Sequence, residues 1–175
     1  MILLRRQSSN SELLDIRTRG KMGQQASFIA LEASLENLEM ISSFLHKWAK
    51  KASLSTHSEN ELLLAVEEVY VNIVKYSYPE SLGKVTINCR IDEDSLVLKI
   101  KDEGIPFNPL QLPEPHFISC LKERKVGGLG VFLMRRFVDN VKYEKQGKYN
   151  VLTLVKSKKK DTECREGESK ENRGS

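Results

Sequence analysis

Hydrophobic and polar positions change period several times along this chain, and each change marks an element. Residues 27–33, SFIALEA, alternate loosely and predict a strand. In the following NLEMISSFLHKWAKKA, Leu38, Ile41, Leu45 and Trp48 recur at helical spacing and predict an amphipathic helix. A second helix is predicted over 58–78, SENELLLAVEEVYVNIVKYSY, opened by a capping box with Ser58 as N-cap and Glu61 three residues on. KVTINCRI and SLVLKIKDE alternate on either side of the acidic DED, the pattern of a β-hairpin. From Ile105 to Val126 there is no period and much proline. GVFLMRRFVDNV then predicts a third helix, and VKYEKQ and YNVLTLVK around Gly147 a second hairpin.

Hairpin strands with three helices between them imply an α/β (α+β) two-layer sandwich, with one mixed sheet and the helices on one face. The folded domain is expected at 26–156. Residues 1–25 are polar and glycine-dotted, with one apolar patch, ELLDI, and are expected to form a flexible N-terminal extension. Residues 157–175 contain no Leu, Ile, Val, Phe, Tyr or Trp and are expected to be a disordered charged tail. The proline-rich stretch is longer than compact domains usually carry, which points to a functional lid or a disordered segment.

Composition narrows the class. With 175 residues, 39% hydrophobic and 30% charged, the chain has the balance of one soluble globular domain. The net charge of +4 comes from scattered residues, so no nucleic-acid surface is read from it. Cys89, Cys120 and Cys164 form no C-x-x-C pair, which argues against a disulfide framework or a structural zinc site and for reduced thiols. The opening MILLRRQSSNSELL has an apolar run too short for a signal-peptide core, and no stretch is long enough to span a bilayer. A cytoplasmic protein without membrane contact is expected.

Three segments carry polar residues that packing alone does not require. In LAVEEVYVNIVKYSY, Glu68, Asn72 and Lys75 stand at i, i+4 and i+7 and share a helix face. Asn is a weak helix former and needs a use there, although a merely solvated face would look similar. KIKDEGIPFNP places Asp102 at a strand end, followed by Gly104. This is either a plain turn or a carboxylate placed to accept from an exocyclic amine such as adenine N6, beside a glycine that lets the backbone bend. In KVGGLGVFLMRRFVDNVKY, Gly127, Gly128 and Gly130 precede or open a helix whose free N–H groups suit a phosphate. It is neither a Walker A loop nor G-x-G-x-x-G after a strand.

Taken in this order, the segments resemble the boxes of the gyrase, chaperone and histidine-kinase ATPase superfamily with the Bergerat nucleotide-binding fold. ELLLAVEEVYVNIVKYSY looks like the N box, KDEGIPFNP like the first glycine box and GGLGVFLMRRFVDNVKY like the second. The D-x-G-x-P-F-x-P form and a closing hairpin with Asn150 after Gly147 resemble the bacterial anti-sigma factor serine kinases of partner switching. The resemblance implies that Asn72 ligates Mg²⁺ on the ATP phosphates and that Glu68 is the general base toward the accepting hydroxyl. It also implies that Asp102 and Gly104 bind adenine, that Gly128 and Gly130 line the phosphates at a lid hinge, and that Lys75 reaches the phosphates. Glu67 competes with Glu68 for register, and the spacing to Asn72 favours Glu68. A sigma factor and a small anti-anti-sigma antagonist, phosphorylated on serine, are the implied partners, and homodimers are usual in the family.

Tyr76 stands where the family often has histidine, and Asn108 where it often has aspartate. The three histidines are isolated: His46 is read as a helix-surface residue, and His116 falls in a lid longer than usual. Arg135 and Arg136 are read as a solvated face. The competing reading is a non-catalytic, ATP-responsive module that sequesters a protein partner; the retained Glu68 argues against it. A kinase acting outside a sigma-factor system also remains open.

Overall fold

The computed structural model describes residues 26–79, 83–112 and 128–158. The N-terminal extension, most of the expected lid with His116 and Gly127, and nearly all of the expected tail lie outside the described residues. Strand β1 (Ala26–Glu32) leads through a 3₁₀ turn into helix α1 (Leu38–Lys51) and then helix α2 (Thr56–Asn72). A π-helical turn, Ile73–Ser77, ends α2. Strands β2 (Lys84–Asp92) and β3 (Ser95–Asp102) form the first hairpin, and helix α3 (Gly128–Phe137) precedes the second, β4 (Asn140–Gln146) and β5 (Tyr149–Ser157). Gly147 has φ of +59°, as the first residue of a tight two-residue hairpin loop requires.

The sheet order is β1-β2-β3-β5-β4, and all four pairings are antiparallel. The two-layer α/β arrangement therefore holds, but the sheet is not mixed. Helices α1 and α2 lie between β1 and β2 in the chain, and β2 pairs antiparallel with β1. The single helix α3 brings β4 back parallel to β3, but β5 inserts between them and no parallel pair forms.

Alternation along the strands turns Ile29, Val85, Ile87, Cys89, Leu98, Ile100, Leu152 and Leu154 toward one side. There they join Ile41, Leu45 and Trp48 of α1, Leu62, Val66 and Tyr70 of α2, and Val131 and Met134 of α3 in one core. The helical spacing read in α1 thus marks its buried stripe. Burial pushes the Cys89 thiol pKa upward.

Three local expectations shift. Helix α2 begins a turn early: Ser55, extended at φ −65° and ψ 158°, is its N-cap and accepts from the Ser58 N–H. Ser58 is already buried inside the first turn, and Glu61 pairs with the buried Lys156 at 2.5 Å instead of closing a capping box. Lys156 also donates to the Phe137 carbonyl at the end of α3, where a cation is favoured. Helix α3 stops at Phe137, short of Val141, because sheet pairing captures the chain: the Asp139 N–H donates to the Val155 carbonyl. Strand β5 runs through Ser157, and the Lys158 N–H bonds to the Asp94 carbonyl, so pairing extends into the first residues expected as tail.

Candidate functional site

A cavity of about 560 Å³ opens between the C-terminal half of α2, the start of α3, the end of β3 and the start of β5. Its interior is mostly apolar, with Ile100 and Leu152 from the sheet and Val131 and Met134 from α3. Tyr76, Ile105 and Phe107 line it while remaining about half exposed. Two buried polar side chains face each other among these walls, Asp102 at 6% exposure and Asn150 at 5%.

The strand pattern explains both. Asp102 continues the inward series Leu96, Leu98, Ile100 on β3, and Asn150 precedes Leu152 and Leu154 in the inward series of β5. The two are direct cross-strand partners. A polar residue in an inward register is expensive unless bonded, and both are bonded. Asp102 Oδ1 accepts from the Gly104 N–H at 2.8 Å and from Asn150 Nδ2 at 2.9 Å. Asn150 Nδ2 also donates to the Gly104 carbonyl at 3.1 Å, and Asn150 Oδ1 accepts from the Tyr143 hydroxyl at 3.0 Å and Lys145 Nζ at 3.2 Å. Burial first, then the Asp102 charge, pushes the Tyr143 phenol pKa up, which keeps it a donor.

The turn after Asp102 is held from the other side by the π turn of α2. The Glu103 N–H donates to the Tyr78 hydroxyl at 2.7 Å, and the Ile105 N–H to the Ser77 carbonyl at 3.0 Å. Gly104 is required here by close approach: a Cβ would lie 2.5 Å from the Ser77 carbonyl oxygen. Asn108, at the position that often carries aspartate in the resembled family, caps the 3₁₀ turn Pro109–Gln111 by accepting from the Leu110 N–H at 2.9 Å.

On α2, Asn72 reaches the cavity wall, and Glu68 one turn earlier is half-buried against α3. The fit is close: a Cβ on Gly130 would come within 2.1 Å of Glu68 Oε2. Gly128 is the first residue of α3, two residues before Gly130, which lines the cavity. Lys75 is not brought in. It is exposed and off the wall, because the π turn changes the helical phase after Asn72 and presents Ile73, Tyr76 and Ser77 instead. Arg135 is not a solvated cation either: its Nη2 donates to the Pro109 carbonyl at 2.5 Å and ties α3 to the loop leaving Asp102. Arg136 is exposed, and His46 lies on the helix surface beside Glu59.

Of the residues singled out in the sequence, Asn72, Asp102 and Gly130 line this cavity, Gly104 turns beside Asp102, and Glu68 packs against Gly130; the contacts of Asn150, Tyr143, Tyr78 and Arg135 were not expected. Asn150 had a readable signal, a polar residue in the inward register of a strand. The tyrosines and Arg135 had none.

Apolar walls that can stack on a flat ring, with one buried carboxylate to accept from an amine, fit a purine base. Residues 31–156 match the histidine kinase-like ATPase domain, and the chain belongs to that family. Within it, the chain falls in the branch of the serine-protein kinases and anti-sigma factors. The serine-protein kinase RsbW of Listeria innocua serovar 6a is 32% identical over 111 residues, covering 60% of this chain and 71% of that one. The serine/threonine-protein kinase BtrW of Bordetella bronchiseptica is 30% identical over 95 residues, covering 54% and 67%. The anti-sigma F factor of Clostridium acetobutylicum is 25% identical over 99 residues, covering 57% and 69%. Among solved structures, the RsbU and RsbW domains of Rv1364c from Mycobacterium tuberculosis share the fold, with a TM-score of 0.54 at 13% identity over 75% of this chain and 32% of that one. Among the described residues, no helix is long and apolar enough to cross a membrane.

Proposed function

We propose that the protein is an ATP-dependent serine-protein kinase and anti-sigma factor: it sequesters a sigma factor and phosphorylates a serine on a small anti-anti-sigma antagonist. The observation that carries the nucleotide part is the buried Asp102 carboxylate at the apolar end of a cavity whose other wall bears Asn72 and the start of α3. Asp102 would accept from the adenine amine, and the Gly104 turn would lie along the base. The N–H groups at the start of α3, at Gly128 and Gly130, are the donors for phosphate oxygens. Asn72 offers its side-chain oxygen to Mg²⁺, a cation that takes few protein ligands and fills its shell with phosphate and water.

When bound, Mg·ATP supplies the phosphoryl group and neutralises its charge. Glu68, one turn from Asn72, accepts the proton of the partner's serine hydroxyl as general base. A phosphate on that serine adds charge and bulk to a fitted surface, which is how one modification switches partners. The protein would act in the cytoplasm, as a homodimer, without direct contact with nucleic acid.

Calorimetry of Mg·ATP binding with wild type, Asn72→Ala and Glu68→Ala tests this. Binding lost in Asn72→Ala and kept in Glu68→Ala, with transfer to the antagonist lost in both, is the expected outcome. Transfer that survives Glu68→Ala would favour a different base, and no binding by the wild type would remove the kinase reading.

A further inference from the structure

We infer that Asn150 is a specificity-positioning residue: it holds the Asp102 carboxylate in the orientation that meets the cavity and so sharpens the preference for a 6-amino purine over a 6-oxo purine. This rests on the nucleotide site proposed above and goes beyond it, since Asn150 acts through Asp102.

The amide has only one orientation that satisfies its surroundings. Nδ2 faces three acceptors, Asp102 Oδ1 and the Gly104 and Ile105 carbonyls, while Oδ1 faces two donors, the Tyr143 hydroxyl and the Lys145 ammonium. A flipped amide would set oxygen against carboxylate and NH₂ against ammonium. The orientation is therefore locked from the second hairpin. With Asn150 and the Gly104 N–H both donating to Oδ1, the hydrogen-bond direction at that oxygen is fixed. The carboxylate plane cannot turn without breaking one of them, which leaves Oδ2 to meet the ligand as an acceptor. A 6-amino purine offers a donor there, and a 6-oxo purine offers a second acceptor. The same amide bonds the Gly104 carbonyl, so the backbone bend and the carboxylate are set by one side chain. The charged groups around it are Asp102 on β3, Lys145 on β4 and the Glu103–Lys148 pair on the outer side of the turn.

The experiment measures the affinities of ATP and ITP by calorimetry for the full chain as wild type, Asn150→Ala and Tyr143→Phe. Urea unfolding of each accompanies the measurement. Loss of a hydrogen bond to a charged group is expected to weaken ATP by about ten- to a hundredfold in Asn150→Ala. ITP, which Asp102 never favoured, should change by less than about threefold, so the ATP:ITP preference collapses. Tyr143→Phe, which removes one anchor of the amide and keeps the ring, should lower the preference by a smaller factor in the same direction. It serves as the deciding variant if Asn150→Ala does not fold. If both nucleotides weaken together and the ratio stands, Asn150 merely holds the turn and the inference fails. A wild type that binds neither nucleotide removes the site itself, and the inference with it. A wild type that binds both equally keeps the site and overturns the role given to Asn150.

Discussion

Replacing Gly130 with alanine separates stability from chemistry in one variant. A Cβ at this position, the third residue of α3, would lie 2.1 Å from Glu68 Oε2, 3.0 Å from its Cδ and 3.4 Å from its Cβ. The carboxylate oxygen must retreat by roughly 1.3 Å to reach ordinary contact, whereas the Glu68 Cβ is already near it. What stands in the way is the far end of a flexible side chain, so off-rotamer torsions relieve the overlap at a cost of ~0.5–1.5 kcal/mol. Alanine favours a helix over glycine by up to ~1 kcal/mol, less in a first turn. These effects nearly cancel, and the unfolding free energy from urea titration is expected to stay within about 1 kcal/mol of wild type.

The chemistry does not cancel. Glu68 is the proposed base, and a displacement of about an ångström in a reacting group lowers the rate on the order of a hundredfold. The assay is transfer of radiolabelled phosphate from ATP to an anti-anti-sigma antagonist, with Mg·ATP affinity measured alongside. Near-normal stability with a rate down about a hundredfold is the predicted pair of results. A wild-type transfer rate would mean that Glu68 is not the base or does not need this position. A loss above about 3 kcal/mol would mean that Glu68 is held too rigidly to swing aside.

Gly104→Ala should behave in the opposite way, because its Cβ would meet the Ser77 backbone, with the carbonyl oxygen at 2.5 Å and the carbonyl carbon at 2.9 Å. The turn must lift away and lose the Ile105 N–H bond to the Ser77 carbonyl. Overpacking and the lost bond together are expected to remove roughly 2–4 kcal/mol in urea unfolding, and ATP affinity with it; a change under about 1 kcal/mol would refute the contact. Cys89 predicts an alkaline slope. Its folded pKa is raised by burial, so its contribution to stability is complete below the unfolded thiol value of about 8.5 and falls as pH rises, by at most ~1.4 kcal/mol per unit. Urea titrations on either side of that value should show a steeper loss for wild type than for Cys89→Ala; equal slopes would mean that the thiol ionises in the folded protein.

The sequence by itself determined the elements, because hydrophobic period is a local property. The spacing of Leu38, Ile41, Leu45 and Trp48, and the alternation on either side of Asp92–Asp94 and Gly147, predicted α1 and both hairpins, with ends that shift slightly. It also marked Asp102, Asn72, Glu68 and the α3 glycines, whose side chains or spacing a core would not choose. Boundaries were less legible where two local signals competed. Ser55 and Ser58 are both competent caps, and only the burial of Ser58 against the core decides between them. The antiparallel course of the sheet was not readable, since it depends on β5 inserting between β3 and β4.

Tertiary structure alone decided which polar groups meet. Asp102 and Asn150 are 48 residues apart in sequence and 2.9 Å apart in space, and Tyr78 reaches the Glu103 N–H across 25 residues. Lys75 shares a helical period with Asn72, yet the π turn carries it away from the cavity. The reason is physical: a period fixes which face a residue occupies. Strand register, helix phase and the need to bond every buried polar atom fix what that face finds opposite.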